Sequence, residues 1–167
     1  VLSSCLSTSE LEHLNAFCDK TQEHNPLAWG LTDKRERHHR QQGLIFSQPL
    51  LDHPELDRYV QHPRSFPVVS QLLGGAQNVR FSEFNFRETP VDAGVGAMNF
   101  HHDRVLPDRL TRTPYMPCDW LCAIHYLTDV GSHEPCFGLV PHSHEFGSIT
   151  EARGSMGNDF ASGHTIG

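Results

Sequence analysis

The spacing of apolar residues changes halfway along this chain, and this change constrains the fold more than any other feature. Before Gly74-Gly75 the apolar residues recur at helical spacing, whereas after it short apolar or aromatic runs are bounded by turn residues. Helices that precede strands are typical of α+β folds with a mainly antiparallel sheet. We therefore predict a single α+β domain over residues 1–167, with a helical part over about 1–75, a β-core over about 76–147 and a loop or lid over about 148–167.

Three helices are predicted in the first part of the chain. Ser7-Thr8-Ser9-Glu10 has the pattern of a capping box, and the apolar residues that follow at helical spacing predict a helix over about 8–20. Pro54 suits the first turn of a second helix. The segment from Phe66 to Leu73 predicts a third helix, which the following glycine pair ends. Residues 21–43 are expected to be irregular because they are polar and lack apolar periodicity.

Strands are predicted in the second part of the chain, at residues 78–86, 98–103, 120–127 and 137–141. The segment 120–127 is nearly all apolar, as in a strand that is covered on both faces. Residues 148–167 are rich in Gly and Ser and have little apolar periodicity, which is why we expect a loop there.

The composition argues against several classes of function. The chain has 13 Lys and Arg against 20 Asp and Glu, a formal net charge of −7, and such a chain lacks the basic face that non-specific binding of nucleic acid or of an anionic membrane needs. No apolar run approaches the ~20 residues of a membrane span. The five Cys include no Cys-x-x-Cys pair, so we expect reduced, buried thiols in a cytoplasmic protein.

The 13 His, as many as all Lys and Arg together, direct attention to metal binding because imidazole is the commonest metal ligand in proteins. The sharpest local pattern is Phe100-His101-His102-Asp103. Alternate side chains of a strand share a face, so His101 and Asp103 would converge while His102 would point away. One imidazole and one carboxylate are two-thirds of the facial triad that binds non-haem Fe(II) in oxygenases.

The segments around this pair occur in an order that resembles the phytanoyl-CoA dioxygenase family of Fe(II)/2-oxoglutarate-dependent oxygenases. Residues 100–103 stand where the family has Trp-His-x-Asp, a hydrophobic segment with a closing acidic residue follows from Ile124 to Val130, and Pro141-His142-Ser143-His144 stands where the family has Pro-Gly-Ser-His. The similarity covers about residues 8–150. It implies a double-stranded β-helix, the jelly-roll or cupin-like core, with the N-terminal helices packed on one face.

The resemblance also implies the chemistry and the residues that carry it. Fe(II) would be the metal, 2-oxoglutarate and O₂ the co-substrates, and hydroxylation of a C–H bond in a small molecule would release succinate and CO₂. His101 and Asp103 would be metal ligands. The residues expected to line the pocket for substrate and co-substrate are Phe100, Arg104, Trp120 and His125.

The chain departs from the family pattern in three places. Phe100 replaces the family's Trp, which preserves an aromatic wall. His142 replaces the glycine that most easily takes a positive φ, so a different turn could form there. The family's third ligand is a His on a late strand, and an Arg that pairs with 2-oxoglutarate follows it. Here His164 is the only late His, its segment does not resemble a strand, and no Arg follows Arg153. We expect the family's last strands, third His and Arg to be missing from this chain, with His164 as the weaker candidate for the third ligand.

Other interpretations stay open. The chain could be an inactive or truncated jelly-roll relative that acts as a binding or interaction module. His142-Ser143-His144 could form a metal-binding pair of the cupin type, although a turn is the expected structure. His125 could be a core residue. The His without a partner pattern are expected at the surface or at helix caps, and they are His13, His24, His53, His62 and His133.

Overall fold

The computed structural model describes residues 1–30, 43–89, 120–131, 136–146, 148–158 and 164–166. The α-helices among them are α1 (Thr8–His24), α2 (Asp57–Val60), α3 (Phe66–Leu72) and α4 (Ile149–Met156). The strands among them are β1 (Leu44–Ser47), β2 (Asn85–Glu88), β3 (Phe137–Leu139) and β4 (His164–Ile166), which form two antiparallel pairs. These residues therefore form a mixed fold of helices and antiparallel strands. The change in the spacing of apolar residues along the chain predicted this fold class.

The described residues fall into two compact units, and each unit has its own hydrophobic cluster. The first unit consists of residues 1–30, 43–89 and 121–127. The second unit consists of residues 120, 128–131, 136–146, 148–158 and 164–166.

The start of α1 in the first unit follows from local sequence. The Ser7 hydroxyl accepts a hydrogen bond from the Glu10 amide at 3.3 Å, and the Glu10 carboxylate accepts one from the Ser7 amide at 2.8 Å. This is the predicted capping box, and it satisfies two amides that the first turn of a helix leaves without partners. The helix then continues to His24, beyond its predicted end.

β1 is a strand inside the part of the chain that was predicted to be helical or irregular. Its three apolar residues are all buried, and its register with β2 places Phe46 opposite Phe86. Gly43 precedes the strand with a φ of +76°, and a Cβ atom there would lie 2.1 Å from the carbonyl oxygen of Glu88. The close approach of the two backbones at this end of the sheet therefore requires glycine.

An aromatic cluster joins α1 to the sheet of β1 and β2. The Phe17 ring of α1 lies 6.4 Å from Phe46 and 5.5 Å from Phe86, measured between ring centroids. Trp29 is 1% exposed, its ring lies 5.5 Å from Phe46, and its Nε1 donates a hydrogen bond to the Thr21 hydroxyl at 3.1 Å. Because the indole N–H has a partner, Trp29 is buried without an unsatisfied donor. The other buried members of the cluster are Leu6, Leu14, Leu44, Leu56 and Tyr59.

The short helices α2 and α3 lie close to where they were predicted. A 3-10 turn from Pro54 to Leu56 leads into α2, with Leu56 fully buried. α3 ends before Gly74 and Gly75, whose φ values of +79° and +118° favour glycine. The link between α2 and α3 carries His62, whose side chain is buried.

The predicted buried strand at residues 120–127 is wrong. In the described part of the chain this segment pairs with no strand, and its Ile124 and Tyr126 are 51% and 41% exposed. Its last carbonyl, that of Leu127, accepts a hydrogen bond from the Asn15 side chain of α1 at 2.9 Å. An apolar run becomes a strand only where another edge accepts its backbone hydrogen bonds, and apolar composition does not specify that edge.

The other strand predictions have different outcomes. Only the end of the segment predicted at 78–86 belongs to a strand, β2, because a 3-10 turn at Ala76–Asn78 and irregular chain come before it. The strand predicted at 137–141 is confirmed as β3. Residues 98–103 lie outside the described residues.

The second unit contains structure where a loop was expected. β3 pairs with β4, and the Ser148 hydroxyl caps α4 by accepting a hydrogen bond from the Glu151 amide at 3.1 Å. Val140 and Ala152 are buried against one another, and Phe146, Ile149 and Met156 pack around them. The expectation of a loop or lid over 148–167 is therefore wrong at α4 and β4. Ser148 and Glu151 have the spacing of a capping-box sequence, which is the local signal for this helix.

The cysteines agree only in part with the expectation of reduced, buried thiols. Cys5, Cys18 and Cys136 are free and partly buried, whereas Cys122 is exposed. Burial raises the pKa of the Cys18 thiol to about 12, and the nearby carboxylates of Glu88 and Asp19 act in the same direction. In the segments that the structure describes, no helix is both long and apolar enough to cross a membrane.

Candidate functional site

The structure describes part of the predicted iron site and its pocket. Trp120 is half-buried in the second unit, His125 is half-buried in the first unit, and His164 begins β4. Among the described residues, no group of three or more His, Cys, Asp or Glu side chains could hold a metal ion. That finding does not reach the predicted site residues that lie outside them, which are Phe100, His101, Asp103 and Arg104.

The turn after β3 has the backbone shape that a glycine would give it. His142 has a φ of +64°, in the left-handed region, and the Ser143 amide donates to the Val140 carbonyl at 3.1 Å. The His142 Nδ1 lies 2.9 Å from a carboxylate oxygen of Glu145, which holds the imidazole over the turn. The expected turn is therefore present, and His142 takes the positive φ that the glycine of Pro-Gly-Ser-His takes most easily.

The late His lies on a strand, against expectation. His164 is the first residue of β4, and the register places it opposite Leu139 of β3. Because β3 leads directly into the turn at Pro141–His144, the backbone of a late His is held next to the strand that carries this turn. The sequence alone did not predict this, since the pairing joins segments about 25 residues apart along the chain.

A second group of titratable side chains lies in the first unit, centred on His62. This His is only 3% exposed, so the prediction that it lies at the surface or at a cap is wrong. Its carbonyl accepts the amides of Ser65 and Phe66 at 3.1 and 2.8 Å, which fixes its backbone between α2 and α3. A buried imidazole needs a partner for each ring nitrogen, and the side-chain partners of both nitrogens come from the segment around the start of α1.

Glu10 is the partner of one ring nitrogen. One of its carboxylate oxygens, Oε1, lies 3.2 Å from His62 Nε2, while the other, Oε2, accepts the Ser7 amide and hydroxyl at 2.8 and 2.7 Å. The pKa of Glu10 falls from 4.5 to about 2, chiefly because Ser7 donates to it and also because His62 lies beside it. The carboxylate is therefore ionised at neutral pH and accepts the Nε2–H of His62.

Cys5 is the side-chain partner of the other ring nitrogen. Its Sγ lies 3.8 Å from His62 Nδ1, and the amide of Arg64 donates to the same Nδ1 at 3.3 Å. Since Nδ1 accepts the amide, it carries no proton in this arrangement, and the Cys5 S–H is the donor to it. The tautomer with hydrogen on Nε2 thus satisfies the Glu10, Arg64 and Cys5 contacts together.

His125, predicted as a pocket residue, lies beside this group. Its ring meets the His62 ring edge-to-face, with centroids 6.1 Å apart. Burial lowers the pKa of His125 and the neighbouring His62 lowers it further, while Glu10 acts in the opposite direction. The neutral form of the His125 imidazole is therefore favoured, and its ring lies beside the His62 imidazole that contacts Glu10.

This group gives almost no local sequence signal. Cys5 and His62 are 57 residues apart, and Glu10 and His62 are 52 residues apart. The capping box identifies Glu10 as a helix-start residue, but one of its oxygens also binds an imidazole that the box does not specify. Only the packing of the link between α2 and α3 against the start of α1 brings the three together.

Comparison of the chain with family models, with curated proteins and with solved structures found no match. The resemblance to the phytanoyl-CoA dioxygenase family therefore rests on the residues and motifs of this chain alone. The function that follows from it is a proposal.

Proposed function

We propose that this protein is a non-haem Fe(II)/2-oxoglutarate-dependent dioxygenase with a jelly-roll core, which hydroxylates a C–H bond of a small molecule. The observation that carries the proposal is the position of His164. It begins β4 and lies opposite Leu139 of β3, the strand that leads into the Pro141–His144 turn. A late His on such a strand is what the resemblance requires of a third ligand.

The shape of the turn after β3 also supports the proposal. The main departure of this chain from the Pro-Gly-Ser-His motif is His142, and its φ of +64° is compatible with the motif's glycine. The antiparallel pairing of β1 with β2 and of β3 with β4 is the kind of pairing from which a jelly-roll is built.

The donor atoms proposed for the site suit iron. Two imidazoles and one carboxylate, from His101, Asp103 and His164, match the facial triad that leaves positions open on Fe(II). When bound, Fe(II) and 2-oxoglutarate supply O₂ activation for C–H hydroxylation, with succinate and CO₂ as the other products. The proposed location of the protein is the cytoplasm. This compartment is reducing, so the free Cys5, Cys18 and Cys136 would stay reduced there.

The side chains proposed around the metal ligands position the substrate and keep water out. Phe100, next to His101 in sequence, and Trp120 are the proposed aromatic walls, which would exclude water from the reacting atoms. Arg104 follows the ligand pair directly and would hold an anionic group of a substrate through paired N–H donors. The proposed partners are therefore a small molecule and O₂.

Succinate formation tests the proposal. The wild-type chain with Fe(II), ascorbate and 2-oxoglutarate in air should release succinate, even without its own substrate, above a control that lacks iron. His101→Ala and Asp103→Ala should abolish this release, because each removes one proposed ligand. His102→Ala is the matched control, since a strand would direct this imidazole to the opposite face, and it should retain the release.

The same assay separates the proposal from its alternative. If wild type forms no succinate, or if His101→Ala forms as much as wild type, the chain is not an oxygenase of this type, and a jelly-roll binding module is the better description. His164→Ala tests the third ligand by itself. Full release of succinate by that variant would assign the third position to a residue other than His164.

A further inference from the structure

We propose that the first unit carries a second reactive site, in which Cys5 is a nucleophilic thiol, His62 its base and Glu10 the group that orients the base, and that this thiol is oxidised by small hydroperoxides. A nucleophile, a base within hydrogen-bonding reach and a third group that holds the base are the recurring signature of activated nucleophiles. No step at this site uses iron or 2-oxoglutarate, so it does not depend on the proposed oxygenase activity.

The geometry of His62 gives each of the three residues a distinct role. Nε2, 3.2 Å from the ionised Glu10 carboxylate, carries the ring proton, while Nδ1 lies 3.8 Å from Cys5 Sγ and is an acceptor that the thiol shares with the Arg64 amide. The imidazole is 3% exposed and cannot turn away into solvent. Glu10 thereby fixes the tautomer in which His62 can accept the proton of Cys5.

The backbone around Cys5 is held in place on both sides. The guanidinium of Arg64 donates to the carbonyl of Ser4, and Leu6 is buried in the core of the first unit. The backbone N–H of Arg64 also donates a hydrogen bond to His62 Nδ1. Arg64 therefore contacts both the segment that carries Cys5 and the imidazole that is the proposed base. Cys5 itself is only partly buried, and the proposal requires a small reagent to reach its sulfur.

A hydroperoxide is the electrophile that this arrangement suits, because the reaction needs only a small molecule and a proton carrier. Sγ attacks one peroxide oxygen as the S–H proton passes to Nδ1 of His62, an S–O bond forms and the O–O bond breaks. The leaving oxygen then takes the proton from Nδ1. The products are the Cys5 sulfenic acid and water or an alcohol, so sulfur loses two electrons and the peroxide gains two.

Cys18 provides an internal comparison within the same unit. It is also a partly buried free thiol, but burial and the carboxylates of Glu88 and Asp19 raise its pKa to about 12, which disfavours the reactive thiolate. Cys5 instead has an imidazole nitrogen as its hydrogen-bond acceptor. The two thiols should therefore differ strongly in their rates with the same oxidant.

The test measures sulfenic acid formation at each cysteine of the full chain. Protein in metal-free buffer with a chelator is treated with hydrogen peroxide at neutral pH, dimedone traps the sulfenic acid, and peptide mass spectrometry assigns the adduct. Wild type should carry the adduct at Cys5 at least about tenfold faster than at Cys18. His62→Gln, which keeps an N–H for Glu10 but has no base, should slow Cys5 by at least about tenfold.

A matched pair of variants guards against an effect of folding, because His62 is buried. Glu10→Gln and Ser7→Ala both weaken the capping box, but only Glu10→Gln removes the carboxylate that orients His62. Glu10→Gln should slow the oxidation of Cys5 severalfold, whereas Ser7→Ala should leave it near the wild-type rate. Helix content by circular dichroism identifies any variant that is not folded.

The proposal is overturned if Cys5 reacts at the same rate in wild type, His62→Gln and Glu10→Gln, because the base would then contribute nothing. Equal rates at Cys5 and Cys18 in wild type would overturn it too. Equal slowing in Glu10→Gln and Ser7→Ala would show that the cap, not the carboxylate on His62, controls the thiol. None of these results bears on succinate formation, so the two proposals fail independently.

Discussion

The two compact units of this protein bury their apolar residues in different ways. In the first unit, α1 and the β1–β2 pair enclose a continuous cluster in which Trp29, Phe46 and Phe86 contact one another. In the described part of the second unit, the buried apolar pair is Val140 and Ala152, with partly exposed side chains around it. The first unit also encloses the titratable side chain of His62, whereas the described part of the second unit consists of the β3–β4 pair, the turn after β3 and the helix α4.

This difference suggests that the two proposed sites are held by different means. In the first unit the buried ring of His62 is fixed by packing and hydrogen bonds, so its geometry should be as stable as the core around it. In the second unit the backbone pairing of β3 with β4 positions His164. Substitutions that destabilise one unit at a time test whether the two units differ in this way.

The largest expected effect is on the core of the first unit. Leu56 is fully buried in the aromatic cluster, so Leu56→Ala should lower the free energy of unfolding by about 2–5 kcal/mol through lost burial and a cavity. Val140→Ala in the second unit removes fewer methyl groups from a smaller cluster and should cost about 2 kcal/mol or less. Denaturant unfolding of both variants measures the difference, and equal losses would contradict the contrast between the units.

The next effect comes from two glycines, one in each unit. Gly43→Ala forces a side chain into a φ of +76° and against the Glu88 carbonyl, so it should destabilise by about 1–3 kcal/mol or more. Gly154→Ala in α4 places a methyl group in open space on a helix and should stabilise by about 0.5–1 kcal/mol. Thermal unfolding should therefore shift in opposite directions, and a neutral Gly43→Ala would show that β1 does not approach β2 as closely as described.

A smaller effect is expected at the two helix caps. Ser148→Ala removes the hydroxyl that accepts the Glu151 amide and should cost about 1 kcal/mol. Ser7→Ala breaks a reciprocal capping box and should cost more than Ser148→Ala, because α1 also packs against the larger core. The denaturation midpoints of the two variants measure these two losses of stability. A larger loss in Ser148→Ala than in Ser7→Ala would contradict the prediction.

The smallest effect is on the pH dependence of stability, since Glu10 is partly exposed. The pKa of the Glu10 carboxyl group is about 2 in the folded protein, below its ordinary value of 4.5. The ionised carboxylate therefore stabilises the folded state above pH 4.5, and this contribution is lost as the pH falls toward 2. Glu10→Gln should remove this part of the acid-induced loss. Denaturation midpoints of wild type and Glu10→Gln between pH 6 and pH 2.5 measure it, and parallel curves would contradict the role assigned to the carboxylate.

The elements that local sequence determines were predictable. The capping box at Ser7 and Glu10 and the helical spacing after it identify α1, and the glycine pair identifies the end of α3. β1 was missed because three apolar residues show no alternation, and it becomes a strand only through pairing with β2, about 40 residues away. Residues 120–127 show the reverse case, because their apolar composition suggested a strand and the segment does not form one.

The candidate sites show the same distinction between local sequence signals and tertiary contacts. His101 and Asp103 were proposed as iron ligands because their spacing is local, and a turn was expected at His142 because the sequence around it is local to the end of β3. The contact between Cys5 and His62 depends on tertiary packing across 57 residues, and so does the pKa of His125 beside it. Local spacing could not have predicted either of them.

The central claim is tested most directly by adding 2-oxoglutarate without oxygen to the protein loaded with Fe(II). The proposed ligand set predicts a weak visible charge-transfer band that saturates with 2-oxoglutarate, is lost in His101→Ala and Asp103→Ala, and is retained in His102→Ala. If the wild-type chain binds Fe(II) but shows no such band, or if His101→Ala shows the same band as wild type, the proposed iron site is contradicted.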